Sequence, residues 1–185
     1  MAFTESKMLE LGTLAPSFCL VDTVTDLEKS YEDICGPVGT VVMFLCNHCP
    51  YVIHVNIELI RIAKEYALKG IGFVAISSND VLEYPDDDPD KMRLVAKVLQ
   101  YPFSYLYDES QEVAKAYEAA CTPDIFVFDK NRKLFYRGRL DESRPGNDKP
   151  LNGKDLRLSL DLLLRGEGPL VKQYPGAGCN IKWKK

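Results

Sequence analysis

Residues 40–50, TVVMFLCNHCP, constrain this chain more than any other stretch. A short apolar run ends at two cysteines two residues apart, Cys46-Asn47-His48-Cys49, and a long helical pattern follows. Strand, Cys-x-x-Cys, helix is the context in which such a pair reads as a redox motif rather than as half of a metal site. The reason is local. The first turn of a helix leaves backbone N–H groups without intrahelical partners and carries a partial positive charge. A thiolate placed there is stabilised, its pKa falls, and it becomes a nucleophile at neutral pH.

The rest of the pattern supplies a frame for that motif. The chain reads as one domain, residues 1–185, with residues 166–185 as a C-terminal tail. Residues 40–45 and 71–77 are continuous apolar runs, as expected of strands covered by helices on both faces. After Pro50 the chain reads as a helix running to about Lys69, with Gly70 as its stop. Its apolar positions, Val52, Val55, Leu59, Ile62 and Tyr66 with Ile53, Ile57, Ile60 and Ala63, make a wide buried face. His54, Glu58, Arg61 and Glu65 fall on a narrow polar stripe, so His54 is expected on the solvent side, paired with Glu58 at i,i+4.

Residues 1–15 form a weakly patterned lead-in, and residues 18–21 and 27–31 suggest an N-terminal β-hairpin across a polar turn. Residues 79–90, NDVLEYPDDDPD, read as a solvated acidic loop, with Asp90 capping a helix over 91–99. A short aromatic strand over 103–107 and a helix over 111–119 follow. Residues 124–129 and 133–137 make a hairpin, and a last helix covers 154–164. Cys19 and Cys35 read as small apolar filler residues. The tail carries Cys179 and the single tryptophan, Trp183.

The net charge of −4 gives no reason to expect nucleic acid or an anionic membrane as partner. The first residues lack the basic-then-apolar pattern of a signal peptide. No apolar run approaches the about 20 residues of a membrane helix. A reducing, cytoplasmic setting is therefore expected, in which six cysteines need not be a structural disulfide framework. No cofactor is expected, and the sequence leaves oligomeric state open.

Strands alternate with helices over the first two thirds, then come a hairpin and a closing helix. In this order the chain resembles the peroxiredoxin-like, AhpC/TSA-type branch of the thioredoxin superfamily. The residues that carry the resemblance begin with Ala15-Pro16-Ser17-Phe18 and the central Cys46-Asn47-His48-Cys49-Pro50-Tyr51. They continue with Ala114-x-x-Tyr117, Cys121-Thr122-Pro123-Asp124, Tyr136-Arg137-Gly138-Arg139 and the tail Gly178-Cys179-Asn180-Ile181-Lys182-Trp183. The resemblance implies an α/β, thioredoxin-like fold with a central mixed sheet flanked by helices.

It also implies roles. Cys46 would be an exposed attacking thiolate and Cys49 the resolving thiol. A protonated His48 beside the thiolate would favour the reduced form. Pro123 matches the cis proline that faces the cysteine pair, which leaves the Thr122 backbone able to pair with an extended substrate. Cys121 would lie near Cys46, either as a second resolving thiol or as a packing residue. Arg137 and Arg139 could add positive charge near the site. Substrates would be protein thiols or disulfides, or peroxides, with a thioredoxin- or glutathione-type reductant.

The sequence also departs from the superfamily's patterns. Leu45 stands where thioredoxins have tryptophan, and the run before it holds no acid, which leaves a buried proton acceptor without a candidate. Met43 and Cys46 stand where a peroxidatic threonine would be. The competing class is metal binding, with Cys46, Cys49, His48 and His54 as soft ligands suited to Zn or Cu(I).

Overall fold

In the computed structural model, residues 3–185 are described. Strand β4 (Gly39–Phe44) is buried at every position, as its uninterrupted apolar run requires. It pairs in parallel with β5 (Ile71–Ser77) and antiparallel with β8 (Asp124–Asp129). The N-terminal hairpin β2 (Cys19–Asp22) and β3 (Glu28–Ser30) joins through β6 (Ser104–Tyr107), and β9 (Leu134–Gly138) closes the other edge. The result is a seven-stranded mixed sheet in the order β3-β2-β6-β5-β4-β8-β9.

Because strand side chains alternate between faces, β4 serves two cores. Val41 and Met43 pack with the helix α2 (Pro50–Ala67), α3 (Pro89–Val98) and α5 (Lys154–Leu164). Val42 and Phe44 pack on the opposite face with Tyr31 of α1 (Tyr31–Ile34) and Ala114 of α4 (Glu112–Ala116). On this second face Tyr117 stacks edge-on against Phe126 and Phe128, with ring centroids 5.6 and 5.9 Å away. No helix among the described residues is long and apolar enough to cross a membrane.

Several local expectations meet a different structure. Asp88, not Asp90, caps α3, because Pro89 occupies the first helical position and the Asp88 carboxylate accepts from Asp90 N–H. The lead-in holds a strand, β1 (Phe3–Glu5), and the tail holds another, β10 (Ala177–Asn180). These two join the short β7 (Cys121–Thr122) in a separate sheet ordered β1-β10-β7. The acidic loop is not simply solvated: Asn79, Asp80 and Asp87 are buried. Cys19 and Cys35 are exposed rather than filling the core.

His54 does not pair with Glu58; its Nε2 lies 3.1 Å from Ser143 Oγ. Glu58 is instead buried under α5, where it accepts from Arg157 at 2.9 Å.

Candidate active site

The end of β4 and the start of α2 fix the two cysteines. Pro50 has no N–H to leave unpaired and presets the helical φ, so the helix begins there and Cys49 becomes its N-cap. Cys49 is therefore at the helix mouth itself, with Cys46 one loop earlier. Val52 N–H points towards the Cys49 sulfur without closing a capping bond.

The peptide bond Thr122–Pro123 is cis, as the resemblance implies. Thr122 touches both thiols. Its Oγ1 lies 3.2 Å from Cys46 Sγ, and its carbonyl oxygen lies 3.2 Å from Cys49 Sγ. Cys121, beside it, is fully buried and donates weakly to Pro123 O at 3.6 Å. Burial, then the nearby Asp124 carboxylate, push its pKa far up. Of the two readings of Cys121, burial and this contact favour packing, while Cys49 and Cys179 are close enough to act on its charge.

The two sulfurs are not equivalent. Cys46 holds its proton: it donates to Cys49, is buried, and faces the Asp87 carboxylate, all of which raise its pKa. Cys49 is drawn the other way, chiefly by the Cys46 thiol, then by the Cys179 thiol and by the Val52 and Cys179 N–H groups. These contacts press the shared proton towards Cys46 and favour ionisation at Cys49. The resemblance implies the attacking thiolate at Cys46, whereas these contacts favour Cys49. The physical reason is that α2 starts at Pro50, which puts Cys49 at its mouth, together with a carboxylate beside Cys46.

Exposure also differs from expectation. Cys46 is 2% exposed and Cys49 0%. They are covered from one side by residues 79–90 and from the other by β10.

Asp87 is the residue that sequence reasoning missed. It is fully buried, at the end of a one-turn 3-10 helix (Pro85–Asp87). Its Oδ1 accepts from Asn47 N–H at 2.7 Å and its Oδ2 from Asn79 Nδ2 at 2.7 Å. The only signal was a pair of prolines bracketing three aspartates, which does not say which one turns inward.

His48 lies with Nδ1 2.8 Å from Asp87 Oδ2 and stacks on Tyr84, with centroids 5.7 Å apart. Asn47 is held in turn by Tyr105, whose hydroxyl donates to Asn47 Oδ1 at 3.2 Å.

Cys46 Sγ, His48 Nδ1 and Asp87 Oδ2 lie within 4.8 Å of one another and are the described side chains able to share a metal ion. The set expected from sequence is not assembled, because His54 is turned to Ser143. Both oxygens of Asp87 also hold the loop, Oδ1 accepting from Asn47 N–H and Oδ2 from Asn79 Nδ2.

The arginines do not reach the thiols as free charges. Arg137 is fully buried and pairs with Asp124 at 3.0 Å, and Arg139 pairs with Asp155 at 2.6 Å.

A model of the AhpC/TSA family matches residues 11–137. The chain belongs to the AhpC/TSA family. An uncharacterized conserved protein of Geobacillus kaustophilus is 52% identical, with a TM-score of 0.98 over 100% of this chain and 97% of its own. A hypothetical protein of Sinorhizobium meliloti is 40% identical, with a TM-score of 0.95 over 98% of each chain. A peroxidoxin of Mycobacterium tuberculosis is 18% identical, with a TM-score of 0.64 over 86% of this chain and 98% of its own. That likeness extends to the fold, which is thioredoxin-like. No match was found among the curated proteins. In this AhpC/TSA chain the family match ends before the tail, so β10 and its cysteine lie outside it.

Proposed function

We propose that the chain is a thiol–disulfide oxidoreductase acting through Cys46 and Cys49. The observation that carries this reading is that one residue, Thr122, contacts both sulfurs at 3.2 Å beside the cis Pro123, while the two thiols lie in hydrogen-bond reach of each other. Two thiols that close together can join in a disulfide without rearrangement of the sheet.

Cys49 thiolate attacks one sulfur of a substrate disulfide and forms a mixed disulfide. The departing substrate thiolate takes the proton that Cys46 holds. Cys46 then attacks Cys49 Sγ, which closes the Cys46–Cys49 bond and releases the second substrate thiolate. Two electrons pass to the substrate, and a thioredoxin- or glutathione-type thiol would restore the pair. His48 and Asp87 position the loop that carries Cys46.

Peroxide is the second substrate class. The burial of both sulfurs favours an oxidant smaller than a protein. Thr122 Oγ1 beside Cys46 also provides a hydroxyl, where Met43 and Cys46 stand at the positions of a peroxidatic threonine.

The test is insulin reduction and peroxide consumption under a thioredoxin system, with Cys46→Ser and Cys49→Ser beside the unmodified protein. Loss of one activity in both variants supports the reading and names the substrate class. Full activity in both assays from either variant overturns it.

A further inference from the structure

The backbone edge that the resemblance leaves to an extended substrate is occupied by the chain's own tail. β10 runs antiparallel to β7, with Cys179 opposite Thr122 and Asn180 opposite Cys121. The approach is close: a Cβ on Gly178 would fall 1.9 Å from Thr122 O and 3.2 Å from Pro123 Cδ. Only glycine lets the strand lie there.

Thr122 therefore meets three cysteines at once. Its hydroxyl faces Cys46, its carbonyl faces Cys49, and its backbone pairs with Cys179. Cys179 is buried in the same apolar cluster as the other two. Its thiol and its N–H both approach the Cys49 sulfur.

The strand is anchored on every side. β1 pairs with its outer edge, Phe3 opposite Cys179. Beyond it, Ile181 N–H donates to Ala120 O at 3.2 Å, Lys182 N–H to Asn79 Oδ1 at 2.8 Å, and Asp80 N–H to Lys182 O at 2.8 Å. This is a fixed presentation of one sulfur to another.

We propose that Cys179 is a third redox thiol, which takes over the disulfide by attacking Cys49 Sγ once Cys46 and Cys49 are joined. The proposal rests on the redox reading above and extends it to a residue outside the matched family segment. In this exchange the Cys49–Cys179 bond forms and the Cys46–Cys49 bond breaks. The electron pair leaves on Cys46 Sγ, and the proton of Cys179 ends there. One disulfide replaces another, so no further oxidant is consumed.

The surroundings favour this direction. Burial and the Asp87 carboxylate keep the displaced Cys46 neutral. Burial, then the hydrogen bond to Cys49 and its electrostatic influence, hold the Cys179 proton in the reduced protein; the influence of Cys49 is lost when it enters a disulfide, while the Lys182 ammonium still favours the Cys179 thiolate. The exchange would leave Cys46 reduced and tie β10 covalently to the mouth of α2.

The test uses the full chain with oxidised glutathione as oxidant, trapping of remaining thiols by alkylation at low pH, and peptide mapping without reduction. In Cys46→Ser, the expected product is a Cys49–Cys179 link that displaces glutathione, with at least a tenfold excess over any link to Cys121. Glutathione retained on Cys49 with Cys179 fully alkylated overturns the proposal.

If Cys46→Ser fails to fold, graded oxidation of the unmodified protein decides. Both links are expected there, and only Cys46–Cys49 in Cys179→Ser. Cys46–Cys49 alone in the unmodified protein overturns the third thiol and leaves the redox reading intact. Absence of any link in the unmodified protein overturns both.

Discussion

Two segments close over the cysteine pair from opposite sides, and they act on it with opposite electrostatic sign. Residues 79–90 bring a carboxylate, Asp87, against Cys46 and so keep that thiol protonated. β10 brings hydrogen-bond donors, the Cys179 N–H and thiol, against Cys49 and so favour its ionised form. A helix N-terminus alone would stabilise a thiolate on whichever sulfur lies nearer its mouth. Here the covers reinforce that choice from both sides. The difference teaches that the position of one proton between two sulfurs is set by segments distant in sequence from the Cys-x-x-Cys.

The largest way to break the comparison is to remove one sulfur. Cys49→Ser takes away the ionised member and is expected to cost roughly 100-fold or more in insulin reduction or peroxide consumption. Alkylation of the variant at acidic pH should fall to background, since Cys46 keeps its proton. Cys46→Ser should lose turnover too, but retain an alkylatable Cys49. Equal reactivity of the two variants at low pH would mean that the covers do not distinguish the sulfurs.

Gly178→Ala attacks the tail side alone. The added Cβ meets the Thr122 carbonyl oxygen at 1.9 Å, so β10 must shift away from β7. Overpacking of this kind costs about 1–3 kcal/mol, readable as a lower midpoint in chemical denaturation. Cys49 should also become easier to alkylate as its cover lifts. An unchanged midpoint and unchanged alkylation would show that the strand is not held at that contact.

Asp87→Asn acts on the other side with a smaller effect. The amide retains an acceptor for Asn47 N–H but removes the charge beside Cys46. The pH midpoint for alkylation of Cys46 should move down, with Cys49 less affected. A midpoint that stays in place would remove Asp87 from the electrostatics of the pair.

The sequence told much of the frame because its signals are local. The apolar run at 71–77 is β5, that at 40–45 overlaps β4 to within one residue at each end, and the leucine spacing of residues 154–164 matches α5 at both ends. The covers were illegible for the opposite reason. Asp87 is one of three successive aspartates, and only the path of the loop decides that it turns inward while Asp86 stays at the surface. β10, with sequence Ala-Gly-Cys-Asn, has almost no strand propensity. It is a strand because its backbone pairs with β1 and β7, which lie more than 50 residues away in the chain. His54 was misassigned because helical spacing says which face a residue occupies, not which loop packs over that face. Ser143 arrives from a polar segment with no pattern of its own.

The smallest expected effect is a pH dependence of stability that both covers shape. An unfolded cysteine titrates near about pH 8.5. In the folded, reduced protein Cys49 lies below that value and Cys46 above it. Between the folded Cys49 pKa and about pH 8.5, the unfolded chain holds two protons on the pair and the folded chain one, so stability rises with pH. Above about pH 8.5 the unfolded chain loses both while the folded chain keeps the proton on Cys46, so stability falls. Subtracting the curve of the oxidised protein, whose disulfide does not titrate, cancels groups that titrate alike in both states. The difference curve measured by urea denaturation from about pH 6 to pH 10 should therefore peak near the ordinary thiol pKa. Asp87→Asn should soften its alkaline limb, and Gly178→Ala its acidic limb. A flat difference curve would mean that neither segment moves the proton, and the opposition between them would be geometric only.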